Sequence, residues 1–311
     1  MRGAAFVSAA AAAQLFTEVD VTPAVLFAAA TAGQPLPRLD LKLSARLAQG
    51  TLRTDLASTN VVGLIEGRDP LLRNELVVFT AHLDGLGVQP SFTGDTVLNG
   101  AMDNAAGVAT VLEMARLIVA MPVKPRRSIA FVAVTGEEKS LTGSSNFAAR
   151  PTVPAATIVA NVNLDMPNLL IDFSEVTAFG AERSSLTGAA LRAAASTHLT
   201  LVPDPWPELA IFTRSDHYSF VQQGVPSIFV TMGTGSFNPA EDGRKSRESF
   251  RREHYHRPSD DMKLPFNWAA AARFTRLNYL LGLDIANDLQ RPRWSESDFF
   301  GELFGKAPAG K

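Results

Sequence analysis

Apolar and polar positions change rhythm several times along this chain, and the changes predict its elements. NVVGLIEG (60–67) reads as a strand, and ELVVFTA (75–81) as a second one, continuously apolar like strands buried on both faces. Residues 104–120 then set Val108, Val111, Leu112, Ala115 and Ile118 on one stripe at helical spacing. SIAFVAV and IVANVNL are two further strands, followed by a helix over 184–197 and a Pro-rich loop over 202–207. SDHYSFVQQG reads as a short helix closed by glycine, and PSIFVTMG as another strand. Residues 268–289 form a long helix with Phe274, Leu277, Leu281 and Ile285 in register. Strands alternating with helices predict an α/β layer architecture with a largely parallel sheet.

The flanks are plainer. MRGAAFVSAAAAAQLF reads as a short strand and an alanine-rich helix in preference to a secretory leader, because alanine makes a poor apolar h-region. LDLKLSARL (39–47) alternates like a strand. Three regions are expected: an N-terminal accessory segment over 1–57, a catalytic domain over 58–290, and a tail over 291–311. The tail's PRWSESDFFGELFG is expected to pack as an amphipathic appendage. With 311 residues the chain can bury a substantial core. A net charge of −2 argues against a nucleic-acid partner, and no apolar run is long enough to span a bilayer, so no membrane partner is expected either. The absence of cysteine removes disulfides, thiolate zinc sites and cysteine nucleophiles. It does not fix the compartment, for which a periplasmic or secreted setting is favoured over the cytoplasm. The oligomeric state is left open.

Set on this frame, the polar residues gather at one edge. His82 and Asp84 end the second strand, and period-two geometry puts them on the same face, so one can bind a metal while the other holds its ring. Glu137 and Glu138 follow the third strand, and Asp165 follows the fourth. Open α/β sheets bind ligands outside the carboxyl ends of their strands. Asp103 joins from the expected first turn of the 104–120 helix, where the helix dipole favours a carboxylate. So many like charges need cations between them, and mixed imidazole and carboxylate ligands suit zinc better than calcium.

AHLDGLG, GAMDNAAG, TGEEKSLTGS, NLDMPN, RSDHYSF and YHRPSDD, in this order, resemble the motifs of the aminopeptidase Y and bacterial leucyl aminopeptidase family of di-zinc exopeptidases. The likeness covers roughly residues 58–290. It implies a three-layer α/β/α fold with a central mixed, mostly parallel sheet. It also implies two zinc ions bridged by Asp103, with His82 and Asp165 completing one site and Glu138 and His256 the other. Glu137 would then be the general base and Asp84 the partner of the His82 ring. Adjacent residues point in different directions, so one glutamate can bind metal while the other addresses the attacking water.

His254 competes with His256, and the family-like phrase favours His256. His198, late in an alanine-rich helix, reads as an ordinary polar residue. Asp216 and His217 follow Ser215, a candidate N-cap, and His217 is expected to reach the substrate. Some relatives place a tyrosine before the Ser-Asp-His phrase to stabilise the tetrahedral intermediate. Here Phe212 stands nearby, so that role is vacant or falls to His217 or Arg214. The charged stretch AEDGRKSRESFRRE reads as a solvated loop or a lid. The expected substrate is a peptide or aminoacyl amide with a free amine, read by an apolar pocket of Met166, Phe212 and Phe237. Rival readings are a single-zinc glutaminyl cyclase, a carboxypeptidase, dipeptidase or amidohydrolase on the same fold, and a non-catalytic binding module. The absence of a Gly-x-Ser-x-Gly elbow disfavours a serine hydrolase.

Overall fold

The computed structural model describes residues 6–305, apart from 45, 47, 49, 51, 155 and 156. Two compact units divide the chain, over residues 1–56 and 57–311. The first carries α1 (Ala9–Leu15) and α2 (Pro23–Thr31), neither with a buried residue. Residues 39–44, expected to begin a strand, form no strand there, and the rest of that stretch lies partly outside the described residues. The short strand expected at the N-terminus is likewise absent from residues 6–8, and residues 1–5 lie outside the described residues.

The second unit is built on a seven-stranded sheet. Its strands are β1 (Val61–Ile65), β2 (Leu76–His82), β5 (Ser128–Val134), β6 (Ile158–Leu164), β7 (Glu175–Phe179), β8 (Thr200–Leu201) and β9 (Ser227–Met232). A small hairpin of β3 (Gly87–Val88) and β4 (Val97–Leu98) stands apart from it. The spatial order is β1-β5-β2-β6-β9-β7-β8. The four central strands β5, β2, β6 and β9 are mutually parallel, while β1 and β7 run antiparallel to their inner neighbours. The sheet is therefore mixed with a parallel heart. This is why β2 and β6 are buried at every position while the edge strand β1 is largely exposed.

Helices cover both faces. On one side α3 (Ala106–Ala120) and α8 (Trp268–Asn287) meet Val77, Phe79 and Ala81 of β2 through Met114, Ile118, Phe274 and Leu281, and α5 (Leu186–Ser196) packs beside α8. On the other, α4 (Thr142–Ala149) and α6 (His217–Val221) set Phe147 and Phe220 against Leu76, Val78 and Val132. Complete burial of a side chain such as Phe79 contributes about 1.5–3 kcal/mol. Gly282 lets α8 approach closely, since a Cβ there would lie 2.6 Å from the Phe79 ring. The charged stretch before His254 is a helix, α7 (Gly243–Glu253), capped by Asp242 and anchored by buried Phe250. The tail folds back as well: Trp294 is buried and donates to the Gly224 carbonyl, and α9 (Phe299–Phe304) follows it. No helix among the described residues is long and apolar enough to cross a membrane.

Candidate metal centre

Parallel neighbours β5, β2 and β6 end side by side, and their ends carry the chemistry. His82 is the last residue of β2, Asp165 follows β6, and Glu137 and Glu138 lie in the turn after β5. Asp103 is not in a first helical turn. It sits in a kinked segment (Ala101–Ala105) ahead of α3, with φ −113° and ψ 85°. The helix dipole therefore does not place it. Asp260 does, its two carboxylate oxygens accepting the N–H groups of Met102 (2.8 Å) and Asp103 (3.0 Å). Gly100 leads into this segment at φ +66°, and a Cβ there would meet the Asp103 carbonyl at 2.4 Å.

Two ligand sets form around Asp103. Nε2 of His82 lies 3.0 Å from Asp103 Oδ1 and 3.4 Å from Asp165 Oδ1. Nε2 of His256 lies 3.3 Å from both Asp103 Oδ2 and Glu138 Oε2. Each set of three offers ligand atoms within 4.8 Å of one another, and Asp103 gives one oxygen to each. Nε2 of both histidines and Oδ1 of Asp165 are buried without an aligned hydrogen bond among the described residues. Native structures rarely leave such atoms unexplained. One oxygen-sharing carboxylate, two imidazoles and two terminal carboxylates fit a pair of borderline-soft divalent cations.

The electrostatics make the same demand. Burial pulls the His82 imidazole down, yet contact with Asp103 and Asp165 outweighs it and raises its pKa well above the usual value. His256 is likewise opposed by burial but pushed up to about 9 by Asp103 and Glu138. Burial and then the charge of Asp165 push Glu137 up to about 9. The acids draw positive charge towards His82 and His256, one imidazole in each ligand set.

Supporting residues hold the ligands. The His82 Nδ1–H faces the Asp84 carbonyl at 3.2 Å and its carboxylate at 3.8 Å, which leaves Nε2 free for a metal. The Asp84 carboxylate also accepts the N–H groups of Glu137 (3.1 Å) and Glu138 (3.4 Å), so one residue orients both the imidazole and the glutamate turn. A buried polar ladder crosses the sheet towards Asp165. Thr80 donates to Asn163, Asn163 to Ser215, and Ser215 to Asp165 Oδ2 at 2.7 Å. Ser215 is thus not a helix cap but a partner of Asp165.

His217 does not reach the site as expected. It is wholly buried, its ring 5.4 Å from that of Phe212 and 5.5 Å from that of Phe229, and burial drives its pKa down to about 3. Phe212 also misses the expected pocket. It packs against Gly180, which follows the antiparallel β7 and so lies at the opposite end of the sheet. Asp216 is buried beside the serines of α4, and burial pushes its carboxyl up to about 7. His254 turns away to Ser259 (3.0 Å), and His198 is exposed at the end of α5. One residue escaped the sequence reading. Tyr255 stacks on His256 with ring centroids 3.7 Å apart. Burial, followed by the charges of Asp103, Asp165, Glu138 and Glu137, raises its phenol pKa, so the hydroxyl keeps its proton among the site's acids. Its place immediately before a ligand was the available signal.

With this geometry in view, residues 60–281 match the model of peptidase family M28. The chain belongs to peptidase family M28. A probable zinc metalloprotease of Pyrenophora teres f. teres is 36% identical over 109 residues, 35% of this chain and 22% of that protein. The aminopeptidase YwaD of Bacillus subtilis is 32% identical over 94 residues, 30% of this chain and 18% of that protein. In three dimensions the M28 chain is similar to BSAP, a zinc aminopeptidase from Bacillus subtilis, with TM-score 0.53 and 20% identity. That similarity covers 78% of this chain and 52% of BSAP. The matched regions thus span less than a quarter of these curated relatives and about half of the solved structure.

Proposed function

We propose that this M28 chain is a two-zinc aminopeptidase that removes the N-terminal residue of peptides and aminoacyl amides. The observation that carries the reading is Asp103, whose two oxygens face two separate ligand sets, His82 with Asp165 and Glu138 with His256. A zinc pair, when bound, supplies Lewis acidity to polarise the scissile carbonyl and acidify water. Glu137 takes the proton of the attacking water and delivers it to the leaving amine. Burial and the charge of Asp165 hold the Glu137 carboxyl up, and cations bound between the acids would offset that repulsion and leave the carboxylate ionised to accept the proton. Asp84 fixes the main chain of Glu137 and Glu138, so base and ligand keep their separate directions. Tyr255, protonated beside His256, donates a hydrogen bond to the oxyanion, the role that Phe212 cannot fill. Carboxylates outnumber imidazoles at the centre, which favours holding a free amine.

The test joins metal analysis to a substrate panel on one sample. About two zinc ions per chain, activity lost to chelators, and cleavage of aminoacyl amides but not of their N-acetylated forms are expected. One ion or none in fully active protein refutes the two-metal reading, and one ion favours a cyclase-like centre. Efficient cleavage of N-acetylated peptides with release of the C-terminal residue refutes the aminopeptidase reading.

A further inference from the structure

Helix α7 carries Arg244, Arg247 and Arg251 at spacings of three and four, so they share one face. Among the described residues none of the three has a carboxylate within 4 Å, whereas neighbouring Arg252 is paired with Glu253. Arg247 is the unusual member. Its guanidinium lies 4.7 Å from the centre of the Trp206 ring, with Arg244 at 5.0 Å from the same ring, and Trp206 is itself buried. Of its five donors only Nη1 has a partner, the Met232 carbonyl at 3.3 Å. The Asp204 carboxylate attracts Arg247 from beyond 4 Å, while one of its oxygens accepts the Trp206 main-chain N–H at 2.8 Å. Burial and the repulsion of Arg251 push Arg247 down to about 10, against the attraction of Asp204 and Asp165.

Its position gives this cation a use. Met232 ends β9, which runs parallel to β6 with Leu164 opposite Val230. Continuing that register sets Met232 level with Met166, one residue past the ligand Asp165, and Thr231 Oγ1 bonds the Met166 carbonyl at 3.2 Å. Arg247 is therefore held at the same strand edge as the candidate metal centre. A half-buried guanidinium braced on an indole, with its remaining N–H groups open to solvent, presents a planar fork that a planar anion can fill. Carboxylate is the anion a peptide offers.

We propose that Arg247 is a specificity-determining residue that binds a carboxylate of the substrate next to the scissile bond. The proposal rests on the aminopeptidase reading and deepens it. The carboxylate has two possible sources, the side chain of an acidic N-terminal residue or the terminal carboxylate of a dipeptide. Hydrolysis of glutamyl against glutaminyl p-nitroanilide tests the first, and Leu-Gly against Leu-Gly amide the second. In at least one arm the zinc-loaded wild type is expected to favour the carboxylate at least tenfold in kcat/KM. Arg247→Gln should remove that preference while still cleaving the neutral substrate. Arg247→Lys, which keeps charge but not the fork, should retain part of it. Calorimetric binding of L-glutamate and glycyl-glycine against L-glutamine and glycyl-glycinamide gives a readout independent of turnover. A wild type that cleaves neutral amides with no preference in either arm overturns the carboxylate site and leaves the aminopeptidase reading standing. A wild type that cleaves nothing yet binds the carboxylate forms at least tenfold more tightly, an advantage lost in Arg247→Gln, overturns the activity but upholds the site. Equal binding of acid and amide forms, or a preference that survives in Arg247→Gln, overturns the site.

Discussion

Replacing His217 by leucine isolates an imidazole that burial keeps neutral. In the fold it is wholly enclosed between Phe212 and Phe229, with a pKa near 3, against the ordinary value of 6.5. The unfolded chain therefore takes up a proton here at a pH where the folded chain refuses it. The folded-state pKa is depressed, so for a base the stabilisation is full above pH 6.5 and declines as pH falls from 6.5 towards 3. At 1.36 kcal/mol per unit, about 2 kcal/mol is lost between pH 7 and pH 5. His217→Leu removes this loss, and because neither ring nitrogen has an aligned hydrogen bond among the described residues, it should cost little at pH 7. Asp216 has the opposite sign, raised to about 7, but it is present in both proteins and cancels in their difference. Urea unfolding of the chelator-treated proteins at pH 7 and pH 5 measures the effect without metal release. The variant should gain about 2 kcal/mol on wild type over that range. Parallel pH profiles would refute a buried neutral imidazole. Loss of kcat at unchanged stability would instead return His217 to the catalytic group.

The glutamate pair should separate cleanly. Glu137→Gln is expected to keep both metals, measured by metal analysis, and to lower kcat by about 10²–10⁴-fold. Glu138→Gln should lose metal from the site it shares with His256, and equal metal loss in both variants would contradict the assignment. On the oxyanion role proposed for its hydroxyl, Tyr255→Phe should lower kcat by about 10²–10³-fold with little change in KM. An unchanged kcat would leave the oxyanion to another donor.

What the sequence disclosed and what it hid have physical causes. Strands β2, β5, β6 and β9 are buried on both faces, so they stand out as apolar runs, and their parallel order delivers His82, Glu137, Glu138 and Asp165 to one edge. Strand β7 is only five residues long and pairs antiparallel at the outer side of β9, so EVTAF gives little signal. Helix α7 was hidden because Phe250 is its only large apolar residue, leaving no stripe to detect. The approach to Asp103 was misread because an apolar helical pattern continues through 101–106, while the turn that places the carboxylate depends on Asp260, more than 150 residues away. His217 was misplaced because the first residue of a short helix can face core or cleft, and only the ring contacts with Phe212 and Phe229 decide. The Trp206 and Arg247 contact joins a Pro-rich loop to a helix that the pattern does not reveal.

Two carboxylates outside the ligand sets, Asp84 and Asp260, explain how a site so rich in acids holds its shape. Asp84 and Asp260 spend their oxygens on main-chain N–H groups, Asp84 on Glu137 and Glu138 and Asp260 on Met102 and Asp103. Each thereby joins segments distant in sequence, the end of β2 to the turn after β5, and the His256 loop to the turn before α3. A hydrogen bond to an ionised acceptor is roughly twice as strong as a neutral one and has a fixed direction. The carboxylate of each clamp is thus neutralised in part by peptide dipoles instead of adding its whole charge to the centre. The ligand-bearing turns are held before any cation arrives. Removing either clamp would leave all five candidate ligands in the sequence and still loosen the proposed metal centre, because what is lost is the position of the backbone that carries them.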